Sequence, residues 1–547
     1  MLLLVLTMLA FSARDYSSPR GCTANPAGFS HHNTRNTNHR LPYSARTAKF
    51  GRDREGDTMG RTKVRGRWVI ASDGASHYIL EDGEVVFEDN TIIFTGHNFP
   101  EPVDETIDAG NAVIGPGFVD LDALFDLDTT ILGFDNTPGW KKGRAWPLDY
   151  LPNARDVYSP DQEAFQHGYA MAHLLRNGIT TALPIRSIFY RKHAETYDEN
   201  ARAAEAAARI GIRMYLGPSY RTGFTTVDSA GEIGQAWEIE QGMRDFDAAV
   251  AFVRDFDGAY NGLIRGFLQP DRIEGCTRDL LELTAEAGRE LGCVVRLHCC
   301  QSELEVKLIQ ERFGTSSIEL LQDIDFMTDR TLLPHGTNMG GIAPTRAKID
   351  AELELVAEAG ATIVHCPMVS LRHGSYLDSF TRLRKMGVNI GLGTDTWPAD
   401  IIQNMHIGVM ATRMADRSMD VRASDYYTAA TIGGANAIGR SDLGRLMPGA
   451  KADITIFDLS GIHLGQFIDP IQTMVISGSG RDFTTVIVDG RIVMKDRAFP
   501  GIDLEAMHER AQKQFDGLIA TYPERSFGHP PVEDIFPPSF PIRTKSS

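Results

Sequence analysis

The amino-acid sequence predicts an α/β chain, a closed (β/α)8 barrel of TIM type joined to a small β-sandwich domain assembled from both chain ends. Three observations carry that expectation. Strand-like apolar runs alternate with helical segments about eight times between Pro116 and Arg440, which calls for a parallel sheet and, over this length, a closed one. Short strands with Gly turns precede that stretch from Val64, and the same texture returns after Leu446. Three buried-strand patterns end in metal-capable residues: VVRLHCC at His298, TLLPHGT at His335 and NIGLGTDTW at Asp395.

Taken in order, residues 1–58 open on the apolar run LLLVLTMLAFS, long enough for a signal-peptide core, too short for a bilayer, and without a basic segment before it. A tract rich in Ser, Asn, Arg and His follows without periodicity, so a disordered leader or an upstream start is expected, and a cytoplasmic location. Residues 59–115 form the first part of the β domain, in RWVIAS, YILEDGEVVFEDNTIIFTG and ETIDAGNAVIGPG. The barrel is expected over 116–440. It begins with strand GFVDLDAL, helix QEAFQHGYAMAHLLRNG, strand ITTALPI, helix AETYDENARAAEAAARIG and strand IRMYLGP, and continues through LIRGFLQP to NIGLGTD. The β domain resumes over 441–500, and residues 501–547 read as a helix and tail.

Composition bounds the function. A chain of 547 residues exceeds one core, so a barrel domain of roughly 300 residues plus a smaller one is expected. A net charge of −17 argues against a nucleic-acid partner, and no apolar run reaches membrane-spanning length. Six cysteines without a CxxC read as free thiols in a reducing compartment. A small-molecule substrate fits best. Neutral imidazole and ionised carboxylate are ligands for Zn²⁺ or a similar ion. One such His is as easily a hydrogen-bonded core residue, but three in register favour a metal centre.

Specific motifs now stand together: GPGFVD at 115–120, LLRNGITTAL at 174–183, YRTG at 220–223, LHCCQSELEV at 297–306, PHGT at 334–337, VHCP at 364–367 and GLGTDTWP at 391–398. With the closing ATIGGANAIGRSDLGRLMPGAKADITIFDL and VIVDGRIV, the chain resembles the amidohydrolase superfamily, in the branch of cytosine deaminase and the triazine chlorohydrolases, from Val64 to about Ala498. The resemblance implies one divalent ion per chain (zinc first, with manganese, cobalt or iron as alternatives), a metal-bound hydroxide nucleophile, hydrolysis of a C–N, C–Cl or related bond, and a homo-oligomer. Carried over, His298 is the fifth-strand ligand. Asp395 is the eighth-strand Asp that touches the metal and accepts the proton of water. His335 is the sixth-strand His that either ligates or polarises the substrate.

Two departures qualify this. Where the family reads PGFxDxHxH, this chain has Asp122 and Leu124 at the two His positions. Asp122 ligates in place of His, or Asp126 or Asp128 completes the site, or the barrel is catalytically silent and serves binding. A carboxylate ligand adds negative charge and should make bound water less acidic. In place of the HxxE of ring deaminases stands His298-Cys-Cys-Gln301, and an amide cannot shuttle a proton. The expectation is therefore hydrolysis of an amide-like C–N bond in a urea or carbamate, similar to the phenylurea and molinate hydrolase subgroup, with deamination or dechlorination of an N-heterocycle as the alternative. Gln301, His365, Tyr220 and Trp397 are the substrate-binding candidates, with Trp140, Trp146 and Phe189 as further aromatic walls. The GSGR at 478–481 is a weak phosphate signal.

Overall fold

The computed structural model describes residues 60–133 and 145–543; the expected leader, Cys22 and Trp140 lie outside the described residues. Eight parallel strands close a barrel: Phe118–Leu124, Ile179–Ile185, Arg213–Leu216, Ile264–Pro270, Val294–Arg296, Thr331–Pro334, Thr362–His365 and Asn389–Leu392. Each pairs with the next, and the eighth returns to the first through Leu392 opposite Asp120. Successive strands supply Val119, Leu183, Phe267, Val294, Leu332 and Val364 to one buried apolar cluster that fills the barrel interior.

Helix boundaries follow capping chemistry, and they set where the strands begin. Thr277 accepts from the Leu280 amide at the start of Arg278–Leu291, and Gly292, at φ +61°, ends that helix in the left-handed conformation. The fifth strand therefore starts two residues later, with Val294, Arg296 and His298 sharing one face by its period of two.

Strands from both chain ends form one eight-stranded sheet, in which Ile454–Asp458 lies antiparallel to Ala112–Pro116. A hairpin of Gly223–Val227 with Ile233–Trp237, joined by Trp146–Pro147, was not legible as part of the strand–helix alternation. Near the C-terminus, helix Leu504–Ile519 packs on helix Pro160–Arg176, where Gln514 donates to the Gln162 carbonyl at 3.1 Å. The five described cysteines are buried and free, and among the described residues no helix is long and apolar enough to cross a membrane.

Candidate metal centre

The first strand delivers Asp122 through an irregularity. Its pairing with the second strand slips between Asp120 and Ala123, so Leu121 and Asp122 do not follow a strict alternation of faces. Asp120 stays structural: its carboxylate accepts from Thr394 N at 3.0 Å, Thr394 Oγ1 at 2.7 Å and Asp122 N at 3.1 Å. Burial pushes its carboxyl up to about 6. This lacing ties the first strand to the loop after the eighth, where the Asp395 amide donates to the Asp122 carbonyl at 2.8 Å.

Asp122, His298 and His335 converge, with one ligand atom from each lying within 4.8 Å of the others, and all three are buried. The Nδ1 of His298 lies 3.0 Å from the Asp271 carbonyl, which can only accept, so Nδ1 donates there and Nε2, 3.3 Å from Asp122 Oδ2, is the ring atom turned into the cluster. The left-handed backbone of His335 (φ +75°) turns its ring inward, with Nε2 3.7 Å from Asp395 Oδ2. That Nε2 is buried without a hydrogen-bond partner. Burial and then His298 hold the ring well below imidazole's usual pKa, hence neutral. Burial alone would favour the neutral acid of Asp122, yet His298 and Arg296 outweigh it and hold this carboxyl well below the usual range. The neutral imidazole of His335 with its Nε2 orphaned in the interior, the Nε2 of His298 and one ionised carboxylate make a donor set that suits a divalent ion.

Asp126 and Asp128 point elsewhere. Asp126 accepts from the Asp128 and Ser187 amides, and Asp128 accepts from Ser187 Oγ and the Tyr522 hydroxyl. They belong to a buried polar knot linking the barrel mouth to the C-terminal segment, and burial with Asp128 nearby pushes Asp126 up to about 7. Of the three carboxylates left open by the sequence, Asp122 is the one at the two histidines.

The other candidates divide. Gln301 lies in the loop after the fifth strand; its backbone amide is held by Glu305 and its carbonyl by Asn338 Nδ2 at 2.8 Å. Arg272 donates to its Oε1. His365, by contrast, faces the helix layer: its Nε2 lies 3.1 Å from the Tyr426 hydroxyl, and burial pushes the ring down to about 3. Tyr220 also lies outside the cluster, with its hydroxyl on Thr284 Oγ1 at 3.0 Å and its ring edge-on to Phe246. Trp397 is buried against His173, with ring centroids 4.3 Å apart. Trp146 stacks on Tyr150 and Phe189 packs on Tyr522, so both serve packing. The GSGR segment is closed to phosphate, since the Gly480 amide donates to Asp400 Oδ2 at 2.9 Å.

Sequence reasoning passed over three neighbours. Cys366 Sγ lies 3.8 Å from Asp122 Oδ2, Gly393 makes room beside it, and Arg296 Nη1 lies 3.0 Å from Asp122 Oδ1. Arg296, two residues before His298, was detectable from the strand period alone.

Residues 136–493 match the amidohydrolase family. The chain belongs to the amidohydrolase family. This amidohydrolase is 28% identical to a 5'-deoxyadenosine deaminase of Methanosarcina mazei over 452 residues, covering 81% of this chain and 94% of the relative. It is 26% identical to a 5-methylthioadenosine/S-adenosylhomocysteine deaminase of Pyrococcus abyssi, covering 79% and 94%. Its fold superposes on a zinc-bound adenosine deaminase from Xanthomonas campestris with a TM-score of 0.67 at 19% identity, over 84% of this chain and 98% of the other. A zinc complex of atrazine chlorohydrolase from Arthrobacter aurescens gives 0.67 at 21%, over 83% and 99%. By its family the chain is an enzyme, a metal-dependent hydrolase acting on carbon–nitrogen bonds.

Proposed function

We propose that this amidohydrolase removes an amine by hydrolysis from an sp² carbon of a nitrogen heterocycle in a small, nucleoside-sized substrate. The observation that carries the reading is the end-to-end likeness to deaminases of 5'-deoxyadenosine and 5-methylthioadenosine, each matched over 94% of its own length. It favours deamination over the urea or carbamate cleavage that the sequence suggested first. One ion per chain, zinc foremost, would sit on Asp122, His298 and His335 and lower the pKa of a water beside it.

The chain's own groups do the rest. Asp395, beside His335, takes the proton of the attacking water and returns it to the departing amine. Gln301 orients the substrate. A guanidinium has only donors, so the amide oxygen of Gln301 must face Arg272, which leaves its two N–H groups for a ring nitrogen or carbonyl oxygen. That amide donates a hydrogen bond without giving up a proton, and this favours a second reading, attack on the carbonyl of an N-aryl urea or carbamate, where no ring nitrogen needs protonation.

The test is product analysis with zinc-loaded protein. Ammonia from 5'-deoxyadenosine or 5-methylthioadenosine supports the first reading, and an arylamine from a phenylurea supports the second. Absence of either product from a wide substrate panel, with metal bound, would reject both. Asp395→Ala should lower kcat/KM at least about 100-fold, the usual scale for losing a proton-transfer group, and His298→Ala should lose zinc and turnover together.

A further inference from the structure

Arg296 is a charged residue inside the barrel, 1% exposed, with its guanidinium over the Phe267 ring at 5.2 Å. Its Nη1 donates to the carbonyls of Leu121 at 3.1 Å and Leu183 at 3.2 Å, and its Nη2 donates to Pro184 O and to Gln269 Oε1 at 2.6 Å. These anchors lie on the first, second and fourth strands, so the barrel wall fixes the position of the guanidinium. A buried cation needs a counter-charge. Among the described residues Asp122 is the one carboxylate at ion-pair distance, 3.0 Å from Nη1 to Oδ1. The N–H vectors point at the Leu121 and Leu183 carbonyls, so Oδ1 receives Coulombic attraction and no directed hydrogen bond. The second oxygen, Oδ2, faces His298 Nε2.

We propose that Asp122 and Arg296 act as one neutral unit that replaces one of the two neutral imidazoles missing from the first strand, the guanidinium holding Oδ1 and leaving Oδ2 as a single ligand atom for a divalent ion. Arg296 is a positioning residue in this arrangement. The formal charge at that corner becomes −1 plus +1, the same as for a histidine, which removes the expectation that an anionic ligand makes the site more negative. A converse follows: histidine at position 122 with Arg296 still in place would set an uncompensated cation against the ion.

This inference rests on the proposed metal-binding role of Asp122, and a double-mutant cycle separates the two. Zinc affinity is read by chelator competition and zinc per chain by elemental analysis, for wild type, Asp122→His, Arg296→Met and the double variant. Melting of the zinc-free proteins reports folding. With Arg296 present, Asp122→His should weaken zinc binding about tenfold or more, whereas in the Arg296→Met background the same change should cost less than about threefold, the coupling expected of charges in contact. If Arg296→Met does not fold, Arg296→Gln, neutral yet able to donate to the same carbonyls, takes its place in the cycle. An equal factor in both backgrounds would overturn the pairing and leave the metal site standing. Wild-type protein that holds no zinc after reconstitution would overturn the metal reading and the pairing with it.

Discussion

Gly393→Ala tests how tightly the centre is built, because position 393 follows the eighth strand where it passes closest to the first. A Cβ there would lie 2.6 Å from Asp122 Cβ, 2.9 Å from Cys366 Sγ and 3.0 Å from Val364 Cγ1. Carbon atoms in ordinary contact sit about 3.5–4.0 Å apart, so Asp122 must retreat by about 1 Å. Its retreat is opposed: the Asp395 amide holds its carbonyl at 2.8 Å and Arg296 flanks its carboxylate. Overpacking of this kind costs about 1–3 kcal/mol in stability. A displacement of about 1 Å in a positioned group costs about 100-fold in rate. Loss of kcat/KM and zinc affinity should therefore exceed what the stability loss accounts for. Denaturant unfolding, zinc analysis and steady-state kinetics on one preparation read all three quantities. Adding Cys366→Ala removes only the sulfur contact and should restore little. A Gly393→Ala enzyme with full zinc and undiminished turnover would refute the argument that this glycine makes room for Asp122.

Two further predictions concern single side chains. Asp122→Asn should lower zinc occupancy sharply, since an amide is a far poorer ligand and Arg296 loses its counter-charge, while Asp126→Asn should leave zinc unchanged and alter only stability; the opposite result by elemental analysis would move the ligand to Asp126. His365, pushed down to about 3 by burial, is neutral in the folded protein. Its contribution to stability is complete above the unfolded value near 6.5 and is lost as pH falls from there toward 3, at about 1.4 kcal/mol per unit of displacement. Melting temperatures between pH 7 and 4 should fall less steeply for His365→Gln than for wild type, and parallel curves would contradict this.

The sequence by itself determined the strand order, the pairing of both chain ends in one sheet, and His298, His335 and Asp395 as strand-end residues. Each of these is encoded locally, in apolar runs closed by turn residues and in strand period. Tertiary structure decided which side chains face inward. In a parallel strand covered on both sides the apolar pattern does not alternate, so nothing local shows that His365 and Tyr220 turn toward the helices while Cys366 faces Asp122. Asp122, Asp126 and Asp128 are equivalent as letters. A register slip and two histidines from distant strands select the first, while Tyr522, 394 residues along the chain, holds the third. Arg296 shows both sides of the division: its period announced an inward residue, but only closure of the barrel brings the Leu121, Leu183 and Pro184 carbonyls around its guanidinium and sets Asp122 against it, because pairing of the first, second and fifth strands through the barrel interior is a property of the closed sheet and of no single strand.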